Sequence, residues 1–215
     1  IFSSEKSTIE YKAEYKSRII SSLVKHLSPT LRYSTTVDNE QVILFEYEMA
    51  NFGLLEHNMY ECLDSIEGSL NDEYIDMVEL KLGNNIITES GKTRKIDIFK
   101  GYFAVLPLGV DTKFKLKISA VGIKTRAEIY EYMTNKLKLD SKEFEDNFVV
   151  QTNDRMLATR ILTSEIMTEL FDYRDKLGIT LDIAIKNGNI YFLIYTGDIF
   201  EPDIMQDSMN LVSIC

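Results

Sequence analysis

Residues 180–196 read TLDIAIKNGNIYFLIYT, two β-rich runs separated by Asn187-Gly188. Asparagine and glycine tolerate the positive φ angles that a two-residue hairpin turn requires. The stretch therefore predicts two antiparallel strands joined by a tight turn, and it favours a fold built on an antiparallel sheet.

Earlier segments extend this pattern. Strand-like runs occupy residues 60–66, 74–82, 94–106 and 113–121. The clearest is KFKLKIS at 113–119, in which Lys113, Lys115 and Lys117 point to one side of a strand and the intervening apolar residues to the other.

Helical patterns flank these runs. Ser7 and Glu10 have the spacing of a capping box, and the helix that follows should end before Pro29. Its apolar residues recur at the steps of an amphipathic helix: Ile9, Ala13, Ile20, Leu23, Val24 and Leu27. A second helix is predicted from Asp38 to about Asn51, although its interior VILFEYE also fits a strand.

Further helices are predicted at 125–138 and 141–148, and then after Asp154 and after Thr163. Runs of strands followed by helices and a hairpin indicate an α+β fold, a largely antiparallel sheet flanked by helices with an amphipathic helix at the N-terminus. Regular strand-helix alternation is absent, which excludes a doubly wound nucleotide-binding sheet. We expect a single soluble domain over 1–215, with a change of character that suggests two subregions, 1–90 and 91–215.

The charge of the chain is unevenly spread. The net charge is −10, yet twelve acidic residues and no Lys or Arg lie between Asp38 and Glu79. Nine basic residues against two acidic ones lie between Lys92 and Arg126. Two readings are open: a chance imbalance of solvated faces, or a molecule with one acidic and one basic surface.

The sequence contains few residues that point to catalysis. The only histidines are His26 and His57, and neither Cys62 nor Cys215 has metal-site spacing. Oxygen ligands for a metal could come from an acidic segment, through Glu61, Asp64, Glu67, Asp72, Glu73 and Asp76. That segment lacks the pattern of a calcium loop. We therefore predict no catalytic, cofactor-binding or metal-binding residues; the alternative is an enzyme with an unrecognised, metal-dependent acidic site.

Asp154, Arg160 and Thr163 have structural interpretations. Asp154 and Thr163 precede apolar helical patterns and are suited to cap them. Arg160 would lie at the edge of the core and pair with an acidic residue, and Asp154 could either cap its helix or hold Arg160.

Several motifs, in this order, resemble one family. IFKGYF at 98–103, FVVQTNDRMLATRILTSEIM at 148–167, the NGNIYFLI hairpin and IFEP at 199–202 are similar to the uncharacterised bacterial domain-of-unknown-function family thirty-one thirty-seven. The matching positions are Phe99, Gly101, Asp154, Ala158, Arg160, Leu162 and Thr163. LSPTLRY and DSIEG at 64–68 look like the N-terminal half of that family.

The resemblance implies no known activity, and it implies a membrane-anchored protein with a soluble domain. We therefore expect a non-enzymatic domain on the cytoplasmic face of a bacterial membrane, tethered by an N-terminal anchor outside this chain. It would bind a protein partner or an anionic membrane surface. Nucleic acid is an unlikely ligand because the sequence pI is about 4.8 and no base-stacking module is recognisable.

The membrane contact would use Lys113, Lys115 and Lys117. Lys92, Arg94 and Lys95 would join them if their strand pairs alongside. The alternative is that the three lysines only protect an edge strand from aggregation.

Overall fold

The computed structural model describes residues 2–52, 57–88, 90–110, 112–121 and 136–196. Nine strands in these ranges form one sheet in the order β1-β2-β3-β4-β9-β8-β5-β7-β6, and every neighbouring pair is antiparallel. The strands are β1 (Arg32–Ser34), β2 (Met59–Leu70), β3 (Glu73–Ile87), β4 (Thr93–Pro107), β5 (Leu116–Ala120), β6 (Lys136–Leu137), β7 (Phe148–Thr152), β8 (Thr180–Lys186) and β9 (Asn189–Tyr195).

The described helices lie against both faces of the sheet, which confirms the predicted α+β class. They are α1 (Phe2–Tyr15), a π-helical segment (Lys16–Ile20), α2 (Ser21–Leu27), α3 (Asn39–Phe52), α4 (Lys142–Asn147), α5 (Arg155–Ile161) and α6 (Ser164–Leu177). We call residues 2–27 the N-terminal helix.

The predicted hairpin is β8–β9. Asn187 and Gly188 form its turn with φ angles of 54° and 77°, and Lys186 pairs with Asn189 across it. The positive φ at both turn residues explains why this dipeptide specifies the connection.

Helix α3 packs on the middle of one face of the sheet, which we call the α3 face. Asp38 caps the helix because its Oδ1 accepts a hydrogen bond from the Gln41 N–H at 2.8 Å. Phe45, Met49 and Phe52 are buried against the sheet. Burial of side chains at steps of four and three residues establishes the helical interpretation of VILFEYE over the strand.

The other face of the sheet, which we call the second face, carries the remaining helices. Ile183 and Ile185 of β8 pack with helices α4–α6, whereas Ala184 between them packs on the α3 face. Ile75 and Met77 of β3 pack with the N-terminal helix in the same alternating way. Two separate apolar clusters therefore lie side by side on the second face.

The N-terminal helix differs from its prediction at its start. The helix is already formed at Phe2, so Ser7 lies inside it and the predicted capping box is wrong. Of the six predicted apolar positions only Ile20 and Val24 are buried, while Leu23 is 56% and Leu27 is 71% exposed. The π-helical segment has a wider turn, so it breaks the stripe that a regular α-helix would align.

Two other predictions concern the middle of the chain. The predicted helix at 125–138 falls mostly outside the described residues, and its end is wrong because Lys136–Leu137 forms β6 against β7. The sheet is continuous across residue 90 because β3 pairs with β4 from Asp76↔Val105 to Ile87↔Thr93.

Candidate binding surfaces

The lysine alternation in KFKLKIS is present in the structure. Phe114, Leu116 and Ile118 are buried toward the second face, so Lys113, Lys115 and Lys117 belong to the α3 face. Only Leu116–Ala120 is a regular strand. The residues before it are held to β7 because the Asn153 side chain bonds the backbone of Lys113 and Lys115, at 2.7 Å each.

Strand register adds two lysines that sequence reasoning missed. Gln151 of β7 pairs with Lys117 on one side and with Lys136 on the other, so both lysines share its face. Ile185 pairs with Leu116, which places the following residue, Lys186, beside Lys115. We call Lys113, Lys115, Lys117, Lys136 and Lys186 the basic surface. The alternation in TLDIAIK could have assigned Lys186 to it, but not Lys136, which lay in a predicted helix.

Two of these lysines also stabilise the end of α3. The Lys186 Nζ donates to the Asn51 carbonyl oxygen at 2.8 Å, and the Lys117 Nζ lies 5.2 Å from the centre of the Phe52 ring. Ammonium groups are favoured at a helix C-terminus because its carbonyls carry partial negative charge. Lys113 and Lys115 are the exposed members of the basic surface.

The expectation that Lys92, Arg94 and Lys95 extend this surface is wrong. They lie at the start of β4, and the β8–β9 hairpin separates β4 from β5 in the sheet. The edge-strand alternative also fails, because β5 is an interior strand between β8 and β7.

The acidic residues considered as metal ligands lie in different environments. Asp64 already interacts with other side chains. Its Oδ2 lies 2.8 Å from the Lys16 Nζ and accepts a hydrogen bond from the Tyr33 hydroxyl at 2.8 Å. Asp72 lies in the turn after β2. In the described part of the chain, no three His, Cys, Asp or Glu side chains are grouped closely enough to hold a metal ion.

The Lys16–Asp64 ion pair joins two irregular backbone segments. Lys16 begins the π-helical segment, and Asp64 lies where the register of β2 against β3 shifts between Cys62 and Ser65. The two side chains are only 12% and 2% exposed. A bulge and a π turn each re-aim a side chain, and here they bring opposite charges together under the N-terminal helix.

A pair of neighbouring carboxyl groups is found on the α3 face. Glu67 of β2 and Asp76 of β3 are direct cross-strand partners, and the Gln41 side chain donates to Glu67 at 3.3 Å. Burial first, and the negative charge of Glu67 second, raise the pKa of Asp76 to about 6. Both effects disfavour the charged form.

Phe99 and Gly101 of the predicted motif serve packing. Phe99 is buried and meets the Tyr195 ring edge to face, with ring centres 4.8 Å apart. A Cβ atom at Gly101 would overlap the carbonyl oxygen of Ile194 on the neighbouring strand. Glycine therefore allows β4 and β9 to approach at this point.

Asp154 and Thr163 are helix caps. The Asp154 carboxylate accepts from the Leu157 N–H at 3.0 Å at the start of α5, and the Thr163 hydroxyl accepts from the Ile166 N–H at 3.3 Å at the start of α6. Arg160 is exposed in the last turn of α5. Of the two roles considered for Asp154, the structure shows capping.

Cys62 is a half-buried residue that packs against the cluster under α3. Burial first, and Glu46 second, raise the pKa of its thiol to about 11. A thiol with a raised pKa is a poor nucleophile near neutral pH.

None of the helices in the described ranges combines the length and apolar character needed to cross a membrane.

One known family matches this chain. The family model described as Protein of unknown function (DUF3137) matches residues 97–214, and it is the family that the motifs resemble. LSPTLRY and DSIEG lie before the matched residues. No curated protein and no solved structure matches the chain. Since the matched residues make up more than half of its length, the chain belongs to the DUF3137 family of proteins of unknown function.

Proposed function

We propose that this chain is a non-catalytic binding domain that lies against an anionic membrane surface through the basic surface. The observation that carries the proposal is the strand register, which groups Lys117, Lys136 and Lys186 on one face of adjacent strands. The alternating burial of Phe114, Leu116 and Ile118 adds Lys113 and Lys115 to the same face. In this proposal the domain works at the cytoplasmic face of a bacterial membrane and is held there by an anchor outside this chain.

The contact is weak and orients the domain. Each basic residue near an anionic surface contributes about 1 kcal/mol, and the attraction fades within a Debye length of about 8–10 Å. Lys117 and Lys186 already stabilise the end of α3, so Lys113 and Lys115 supply the outward charge. Two such residues bias the orientation of a tethered domain without holding a free one tightly.

Vesicle co-sedimentation tests the proposal. Because the contact is weak, we expect only a fraction of the chain to sediment with vesicles containing phosphatidylserine at low salt, and that fraction to be released as salt is added. Replacing Lys113 and Lys115 with Glu should abolish sedimentation. These two residues are exposed, and leaving Lys117 and Lys186 in place keeps the support of α3.

The matched control is Lys142→Glu with Arg155→Glu. It changes the net charge by the same amount, and both residues are exposed on helices α4 and α5 of the second face. The control should sediment like the wild type. Equal sedimentation of wild type and the Lys113/Lys115 variant at every salt concentration would overturn the proposal.

A further inference from the structure

The β3–β4 hairpin is longer than the sheet that supports it. Pairing of β3 with β2 ends at Gly83, and pairing of β4 with β9 ends at Gly101. Beyond these points no other strand of the described ranges pairs with the hairpin, which continues from Asn84↔Ile96 to Ile87↔Thr93. We call the described residues 84–88 and 90–96 the ribbon.

Asn58 braces the base of the ribbon. Its backbone N–H donates to the Asn84 Oδ1, and its Oδ1 accepts from the Asn85 N–H, both at 2.8 Å. Its Nδ2 also donates to the Asn85 carbonyl oxygen at 3.2 Å. The ribbon therefore leaves the sheet in a fixed direction, although a two-stranded hairpin alone is only marginally stable.

The ribbon is both apolar and basic. Ile87 is 79% exposed, and Ile86 and Ile96 are also exposed. Lys92, Arg94 and Lys95 are exposed beside them, with Lys95 3.7 Å from the exposed carboxylate of Asp97. Ile86 pairs with Arg94 and Asn84 pairs with Ile96, so Ile86, Arg94 and Ile96 share one face of the ribbon, while Ile87 and Lys95 lie on the other. Each face therefore presents an exposed isoleucine next to a cation.

The outward side of α3 has the complementary chemistry. Ile43 is 66% exposed, Tyr47 is 63% exposed, and Leu44 is exposed between them. Glu40 and Glu46 are exposed on the same helix, which contains three Glu and no Lys or Arg over Asn39–Phe52. This side of α3 offers apolar side chains bordered by negative charge.

We propose that the ribbon of one chain docks on the outward side of α3 of a second copy. The chain carries a net charge of −10, so two copies repel on average, and a basic ribbon meeting an acidic helix is an orientation in which the charges attract. The ribbon and the outward side of α3 both belong to this chain and are both exposed in it, so the proposed contact joins different molecules. This inference is independent of the proposed membrane contact, because it uses other residues.

The contact is heterologous, since a ribbon meets a helix and not another ribbon. Each copy keeps one unused ribbon or helix, so association continues into a ring or a filament. The contact rests on a few apolar side chains and on attraction between exposed charges, which predicts weak association that depends on concentration and salt.

Analytical ultracentrifugation of the whole chain tests this. We expect the average mass to rise above 24.8 kDa with concentration up to several hundred micromolar at low salt, and to fall when salt is added. A ribbon variant, Ile86→Ser with Arg94→Ser, changes two residues of one ribbon face. This variant and a helix variant, Ile43→Ser with Tyr47→Ser, should each be monomeric. A one-to-one mixture of the two should form complexes of two chains and no larger, because only one intact ribbon-helix contact can form.

The control variant, Met156→Ser with Tyr173→Ser, removes as much exposed apolar surface from helices α5 and α6, and it should associate like the wild type. A wild type that stays monomeric throughout would overturn the inference. So would a ribbon or helix variant that still associates, or a mixture of the two that stays monomeric. Loss of association only on changing Ile19 and Leu23 to Ser would assign the contact to the N-terminal helix instead and would equally overturn it.

Discussion

The two groups of helices on the second face are held by different means. Helices α4–α6 rest on a large apolar cluster in which Phe144, Phe148 and Phe171 meet with ring centres 4.8 to 6.2 Å apart. Among residues 8–27 the N-terminal helix buries only Ile20 and Val24, and it adds the Lys16–Asp64 ion pair. The first arrangement supplies stability, and the second fixes a position.

A buried ion pair is suited to the second task. Removing two charges from water offsets much of their attraction, so the pair adds little net stability. It penalises any shifted placement of the helix, however, because a shift would separate the buried Asp64 carboxylate from the Lys16 ammonium. The N-terminal helix buries little apolar surface, so it is readily detached from the sheet. Its ion pair forms only in one position, so the attached helix is accurately placed.

The largest expected effect lies in the C-terminal group. Phe144 is fully buried and stacks on Phe148. Phe144→Ala should lower the free energy of unfolding by about 3–5 kcal/mol, since it removes an aromatic ring and leaves a cavity. Urea denaturation measures this. Leu23→Ala, at an exposed position of the N-terminal helix, should change stability by less than about 0.5 kcal/mol; equal losses in the two variants would contradict the comparison.

The ion pair should give the next effect. Asp64→Ala removes the carboxylate that contacts the largely buried Lys16 ammonium, and we expect a loss of about 3 kcal/mol. Hydrogen exchange should locate the loss in the N-terminal helix, with α4–α6 protected as before. The double variant Lys16→Met with Asp64→Leu should recover most of the stability, because it removes both charges. A double variant as unstable as Asp64→Ala would show that the charges are needed for more than pairing.

The sequence predicted those elements whose signals are local. Asn187-Gly188 specified the β8–β9 turn, and Asp154 and Thr163 indicated where two helices begin. These predictions succeeded because each signal acts within three residues along the chain. The N-terminal helix was harder, since its π turn and the bulge of β2 bring together residues 48 positions apart, Lys16 and Asp64. Periodicity along one helix cannot show such a contact.

The same difference between local signals and long-range contacts applies to the candidate surfaces. The alternation of Lys113, Lys115 and Lys117 was visible in the sequence, but the addition of Lys136 and Lys186 required the strand order. The same strand order excludes Lys92, Arg94 and Lys95 from the basic surface, because the β8–β9 hairpin lies between β4 and β5 in the sheet. Pairing between distant segments is the information that a single sequence lacks.

Capping of α5 should give a smaller effect. Asp154→Ala removes the acceptor for the Leu157 N–H, and we expect a loss of about 0.5–2 kcal/mol, seen as a lower melting temperature. Asp154→Asn should retain most of the stability, because an asparagine oxygen also accepts this bond. If the alanine variant melts with the wild type, the cap contributes nothing and Asp154 is open to a binding role.

The smallest expected effect is a pH dependence of stability that arises from the carboxyl pair on the α3 face. Asp76 lies on the α3 face beside Glu67, and burial followed by that charge raises its pKa from the ordinary value of 3.8 to about 6. The folded chain therefore holds this proton more tightly than the unfolded chain. Its stabilising contribution is complete below about pH 4 and is lost as the pH rises through about 6. Because the group is only partly buried, we expect the change to be less than about 1 kcal/mol.

Asp76→Asn removes this titration while keeping the shape of the side chain. The stability difference between the variant and the wild type should grow in favour of the variant from pH 4 to pH 7. Glu67→Gln should act in the same direction but more weakly, since the charge of Glu67 is the lesser cause of the shift. Urea denaturation at several pH values measures all three proteins. Parallel curves for wild type and Asp76→Asn would show that the carboxyl pair titrates alike in the folded and unfolded chains.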